Sequence, residues 1–297
     1  MDGKDLNRRL AALLDEDTDS SWLDERSTYD YIYEAALEWV DRTSCLTSTQ
    51  TITTAASGQS YDLNPDFLRC AVRDDDEDYI IRISDGTTTQ NTKQKLYGDV
   101  FTANSTTNVA WPSGFSIKDN SNASQVSGTA STAGDATGGK SLLTTSEDLS
   151  DVGPGDTVHN VTDDSDGVVI SVPTDNTAYV ALFGGTDNEW DLGDSFIIQP
   201  GARYQLVLKE PIEDAKTITI PYVQVPAPVY TDYDVYRFPK QYATALVKYA
   251  YWAYKYRDQE RNMADAMYQY WDRQVRKYLS SVNASTRTNR LRVSFKK

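Results

Sequence analysis

The chain has 297 residues, 39% of them hydrophobic and 25% charged, with a formal net charge of -15. That length suits roughly two domains of about 150 residues, enough to bury a core without disulfide or metal staples. No run approaches the roughly 18 apolar residues a membrane span needs, and MDGKDLNRRL lacks the apolar stretch of a signal peptide, so a cytoplasmic origin without that export route is expected.

Charge is unevenly placed. From Arg237 onward, 14 basic residues stand against four acidic ones, whereas residues 1–236 carry 15 basic and 40 acidic residues. Such an asymmetry concerns partners rather than fold. The two cysteines, Cys45 and Cys70, have neither close spacing nor histidine companions, which argues against thiol-rich metal sites and disulfide frameworks and leaves reduced packing residues. The single histidine, His159, sits in turn-rich GPGDTVHNVTDDSDG, where a loop or strand-end role is simpler than a catalytic pair.

In chain order, LNRRLAALLDE predicts an amphipathic helix with Leu6, Leu10, Leu13 and Leu14 on one face. A second helix is predicted from Ser27, whose spacing to Asp30 resembles a capping box, with Tyr29, Ile32, Tyr33, Ala36, Leu37 and Val40 as its apolar positions. After Cys45 the period changes to two. TSTQTITT, a turn at ASGQ containing Gly58, and SYDLN predict a β-hairpin, and Pro65 breaks the strand before DFLRCAVR. The acidic run Asp74, Asp75, Asp76, Glu77 and Asp78 reads as a solvated turn ahead of the strand YIIRIS.

Residues 103–200 are rich in Ser, Thr, Asn, Gly and Asp and hold only Lys118 and Lys140 as basic groups. GVVISV, AYVALF and DSFIIQ, separated by SDG, GGTDN and LGD turns, predict an all-β insert of small strands. Beyond it, RYQLVLKEP and KTITIPYVQVP read as strands, with Pro221, Pro226 and Pro228 closing the sheet region. Two long helices are then predicted as an antiparallel hairpin broken near Arg257 and Asp258, with Pro239 near the start. One carries an apolar stripe of Ala245, Tyr249, Trp252 and Tyr256, the other one of Met263, Met267, Tyr270 and Tyr278.

The expected fold class is therefore α+β. A helical domain, made of the N-terminal helices and the C-terminal hairpin with a small β-sheet, would span 1–102 and 201–284. The all-β insert would occupy 103–200, and a basic tail 285–297.

Several constellations invite chemistry and supply little. Aromatic residues interleaved with Lys and Arg could stack single-stranded bases, but helical spacing favours packing. Tyr249, Trp252, Tyr256, Met267, Tyr270 and Trp271 are read as helical packing or oligomer-interface residues. Asp163, Asp164 and Asp166 before Gly167 resemble the start of a calcium loop, yet Pro173 stands where the final bidentate acid is needed. GDATGGKS lacks the strand-to-helix context of a phosphate loop. Carboxylates are too common for any pair to identify a glycoside hydrolase. No catalytic, cofactor or metal site is expected.

The tail STRTNRLRVSFKK has five basic groups and no acid, with Leu291, Val293 and Phe295 alternating as apolar teeth. It reads as a segment that orders on a partner. Together TITTAASGQSYDLNPDFLR and YRFPKQYATALVKYAYWAYKYRDQERNMADAMYQYWDRQVRKY resemble the head-to-tail adaptor, or connector, proteins of tailed bacteriophages, over about residues 5–100 and 203–282. The stretch VGPGDTVHNVTDDSDGVVISV followed by LFGGTDNEWDLGDSFII is similar to small β modules of phage virion proteins.

The resemblance implies a homo-oligomeric ring, typically a dodecamer, at the head–tail junction of the virion and assembled in the host cytoplasm. Its partners would be the portal protein and a tail or tail-nozzle protein. Genomic DNA would pass through the lumen without sequence-specific binding, and no membrane would be involved. The docking residues would be Arg287, Arg290, Leu291, Arg292, Val293, Phe295, Lys296 and Lys297. The alternative is a β-rich binding module for carbohydrate or a surface partner on an oligomerising helical base.

Overall fold

The computed structural model describes residues 2–15, 25–74, 78–102, 107–120, 124–134, 136–237, 240–257 and 261–288. In chain order its elements are α1 (Gly3–Leu14), α2 (Glu25–Thr43), β1 (Thr47–Thr53), β2 (Ser60–Asp62), β3 (Phe67–Cys70), β4 (Ile80–Ser84), β5 (Thr89–Lys93) and α3 (Tyr97–Thr102). There follow β6 (Phe115–Asn120), β7 (Val126–Thr129), β8 (Ser141–Thr144), β9 (Thr157–Asn160), β10 (Ser165–Thr174), β11 (Thr177–Phe183), β12 (Ser195–Gln199), β13 (Arg203–Leu208) and β14 (Thr217–Gln224). The 3-10 turn Lys240–Tyr242 then leads into α4 (Ala243–Arg257) and α5 (Arg261–Thr288). Two compact units result, one of Met1–Cys45 with Asp232–Lys297 and one of Leu46–Thr231.

The fold class expected from the sequence is corrected. Among the described residues 14 strands form three sheets against five α-helices, so the chain is mostly β rather than helical with a small sheet. The error arose at 47–93 and 203–224, where short strands looked like an accessory to the helices. They form a five-stranded sheet, ordered β1-β14-β4-β5 with β3 also on β14, and a three-stranded sheet, β2-β13-β6. Leu63, Phe67, Ile81, Ile83, Phe115, Leu206, Leu208, Ile218, Ile220 and Tyr222 make the core these strands share.

The predicted hairpin also fails. β1 pairs with β14 from Thr47↔Val223 to Thr53↔Thr217, while β2 pairs with β13 in the other sheet. The turn between them is a corner: Ser57 N–H donates to the Ile212 carbonyl at 2.7 Å, which carries the chain from one sheet to the next. Ser57, at φ 65°, takes the left-handed conformation there. At Gly58 a Cβ would fall 2.3 Å from the Tyr61 hydroxyl, so a larger residue would have to displace that ring.

Pro221 does not close the sheet; it sits inside β14 opposite Thr49. Its carbonyl accepts from Ala71 N–H at 2.9 Å, so the side of the residue that lacks an N–H faces away from β1. That side lies between the β4 pairing at 217–219 and the β3 pairing at 222–224. The missing donor thus falls where β14 changes neighbour, and no ladder bond is lost.

The remaining six strands form one antiparallel sheet, β7-β12-β9-β10-β11-β8. Leu143, Val158, Val169, Val180, Trp190, Phe196 and Ile198 fill its core. GVVISV, AYVALF and DSFIIQ are strands as predicted, although Ser165-Asp166-Gly167 lies within β10 rather than in a turn. The predicted insert limits at 102/103 and 200/201 both fall inside the Leu46–Thr231 unit.

A buried charge pair joins this sheet to the next. Asp156 accepts from the amides of Gly153 and Gly201 at 2.7 and 2.8 Å and from the Arg203 guanidinium, whose Nε donates to the Asp151 carbonyl at 2.7 Å. Their side chains are only 6% and 10% exposed.

Candidate assembly surface

The helical unit is built from both ends of the chain. Asp2 caps α1 by accepting from Asp5 N–H at 2.9 Å, and the next free amides, Gly3 and Lys4, donate to the Asp234 and Asp232 carbonyls. The start of α1 is thereby tied to the segment leading into α4. Leu6, Leu10 and Leu14 are buried with Ile32, Val247, Ala250, Tyr251 and Tyr254, whereas Leu13 of the predicted face is 36% exposed. α2 begins at Glu25, so Ser27 lies in its first turn and is not the predicted cap. Ala35, Ala36 and Trp39 pack on Tyr242, Ala245, Leu246, Trp271 and Val275.

The aromatic residues selected from the sequence occupy graded positions. Trp271 is fully buried, with its ring 5.0 Å from Tyr249 and 6.5 Å from Trp39 and the Arg42 guanidinium 5.1 Å above it. Met267 is half-buried against the cluster around α1, and Tyr270 is half-buried. Trp252 is half-buried 4.9 Å from Tyr268.

Tyr256 and Met263 of the predicted stripes are exposed, at 48% and 56%. The true core line of α4 includes Ala243, Leu246, Val247, Ala250 and Tyr254, turned from the predicted stripe. α4 faces both α2 and α5, and a single-face pattern cannot describe a helix gripped from two sides. Tyr242 of the 3-10 turn and Tyr268 and Leu279 of α5 also join this core and were missed.

Glu34 and Glu38 were also missed. Among the described residues neither has an ion-pair partner. Burial, then neighbouring Asp30, raises the Glu34 pKa. Burial, followed by Glu38 and Glu34, pushes Tyr249 up to about 12. The i, i+4, i+8 spacing of Asp30, Glu34 and Glu38 was the available signal. Nearby, Asp272 of α5 is held by Arg42 at 3.1 Å and Arg276 at 2.8 Å.

α5 is longer than expected. Among the described side chains of α5, Leu279 is the last packed on the core, Ser280, Ser281 and Val282 are exposed, and the helix continues to Thr288. At about 1.5 Å per residue, the stretch from 280 to 288 adds roughly 13 Å of helix after Leu279. Arg287 lies in this helical stretch. Arg290, Leu291, Arg292, Val293, Phe295, Lys296 and Lys297 lie outside the described residues.

The other clusters resolve into local structure. His159 Nδ1 is 3.0 Å from Asp166, and Asp163 accepts from Asn160 Nδ2 at 2.9 Å. Lys93 bridges Asp74 and Asp78 at 2.6 and 3.5 Å, while residues 75–77 of the acidic run lie outside the described residues. Ser141, of the phosphate-loop-like stretch, opens β8 and donates to the Gly134 carbonyl. Burial raises the thiol of Cys45 and pushes that of Cys70 up to about 12. Among the described residues no three or more His, Cys, Asp or Glu side chains are placed to hold a metal ion, and no helix is long and apolar enough to cross a membrane. No family model matches the chain, and no curated protein matches it.

Proposed function

We propose that the chain is a structural virion protein: a ring, built of some twelve copies, that joins the portal to the tail or tail nozzle at the head–tail junction. The observation that carries this reading is the long helix α5, which leads directly into the basic end of an acidic chain. α5, with Trp271 and Val275 in the core, runs on as helix to Thr288, and the basic residues Arg290, Arg292, Lys296 and Lys297 follow it in the sequence.

The charge pattern supports the same reading. Copies of an acidic body around a channel repel DNA phosphates, so the genome passes without sequence-specific attachment. A terminal segment with alternating apolar and basic residues suits ordering on an acidic partner surface, here the portal. The test is removal of residues 289–297, which leaves α5 whole. Circular dichroism is expected to be unchanged and recovery of the chain on immobilised portal to fall at least tenfold. Unchanged recovery would sink the tail's role, and absence of closed rings in electron micrographs of chain plus portal would sink the ring itself.

A further inference from the structure

β1 and β5 lie at the two ends of the strand path β1-β14-β4-β5, with Phe115 bridging Gln94 just past β5, and the hydrogen-bonding parity of both can be read from the bonds just beyond them. Thr54 N–H donates to the Lys216 carbonyl and Gln224 N–H to the Leu46 carbonyl. With the continuous register of β1 on β14, even-numbered β1 residues are bonded inward, and the peptide groups of Thr47, Thr49, Thr51 and Thr53 point out of the sheet. On the other side Asp85 N–H donates to the Thr88 carbonyl and Gln94 N–H to the Tyr79 carbonyl. Even-numbered residues of β5 therefore face β4, and the peptide groups of Thr89 and Asn91 point outward. No described residue bonds to the outward groups of Thr49, Thr51, Thr89 or Asn91.

Neither edge carries the usual protection. β1 is TSTQTIT, without charge, proline or bulge, and β5 is TQNTK, whose single charge is Lys93 at its end. An open edge of this kind is a template for another strand.

We propose that β1 of one copy pairs with β5 of the next, so that the five-stranded sheet continues from subunit to subunit; this rests on the ring reading above. Four strands lie on the path from β1 to β5 and all pairs are antiparallel, so the two edge strands run in opposite directions. A rotation about an axis along the strands leaves those directions unchanged and sets β5 of the neighbour antiparallel to β1. The contact joins two different surfaces, which is the type of interface that closes into a ring. In the register that places Thr49 opposite Asn91, Thr51 meets Thr89. Two pairs then each exchange two backbone bonds, and the pairing stops short of Gln94, where Phe115 already bridges the strand.

The test uses the full chain carrying Thr49→Cys with Asn91→Cys, or Thr51→Cys with Asn91→Cys to cover a two-residue shift. Hydrogen-bonded antiparallel pairs have Cα atoms about 5.5 Å apart, within disulfide reach. Mild oxidation with portal present is expected to give a ladder of multimers on non-reducing gels for at least one double variant. The parent chain and the single variants are expected to stay at monomer size. No ladder from either double variant overturns the proposal, as does a dimer from Thr49→Cys or Thr51→Cys alone, which would mean β1-to-β1 pairing.

Thr49→Pro and Thr51→Pro remove outward N–H groups only, so circular dichroism is expected to hold while self-association falls at least tenfold; undiminished self-association overturns the proposal. Closed rings without cross-links would overturn the edge pairing and leave the ring reading intact. Cross-linked open chains without rings would do the reverse.

Discussion

Asp156→Ala is expected to destabilise the Leu46–Thr231 unit more than any surface substitution. The carboxylate is 6% exposed in its side chain and serves three donors, the Gly153 and Gly201 amides and the Arg203 guanidinium, which is itself 10% exposed. Removing it strands a buried cation, and breaking one side of such a pair costs about 3–5 kcal/mol. Arg203→Met retains much of the buried stem and leaves Asp156 with two backbone donors, so the expected loss is that of one charged hydrogen bond, about 1.5–3 kcal/mol. The double variant has no stranded charge and should fall below the sum of the singles by at least about 1 kcal/mol. Urea unfolding followed by tryptophan emission measures these differences. Hydrogen exchange at residues 157–160 and 203–208 assigns them to this unit. A cost under about 1 kcal/mol for Asp156→Ala, or strict additivity, would refute the view that this pair pins the six-stranded sheet to β13.

Trp271→Ala is expected to cost about 3–5 kcal/mol, because a fully buried indole beside Trp39 and Tyr249 leaves a cavity the helices cannot close; helical circular dichroism against temperature reads it, and an unchanged melting point contradicts the packing described. Glu34→Gln is expected to raise stability at neutral pH by under about 1 kcal/mol, as befits a partly exposed charge. The sign follows from the raised pKa of Glu34: folding favours the protonated form, so stability is lost as pH rises through the folded value and the gain from Gln vanishes at acid pH, where both chains carry a neutral group. Melting points between pH 3 and 8 test this, and a gain that grows on acidification contradicts it.

Four of the five helices were legible from an apolar period, as in Leu6, Leu10 and Leu14 of α1 or Met267 and Tyr270 of α5, while the six-residue α3 is too short to show one. The strands GVVISV and AYVALF were legible too, being neighbours in sequence and in the sheet. What sequence could not reveal was pairing at long range. TSTQTIT and SYDLN flank a turn, and a local rule pairs them, but β1 gains a seven-residue ladder on β14 instead. The expected small sheet is therefore a substantial two-sheet arrangement with its own core. On α4, residues such as Tyr256 and Ala250 differ in burial because of which helices approach, information that spacing alone does not contain.

The central position of β14 has a consequence for synthesis. Its neighbours β1, β3 and β4 are all made before residue 85, yet the strand that holds them together ends at Gln224. At translation rates of roughly 5–20 residues per second, β1 waits on the order of 10–30 s for its partner. Throughout that interval Ile52, Phe67, Ile81 and Ile83 have no β14 to cover them, while the six-stranded sheet, whose strands lie between 126 and 199, can complete itself on the nascent chain. The order of folding thus runs from the middle of the chain outward. The Met1–Cys45 segment, which needs α4 and α5, is made before the strands and is among the last to be packed.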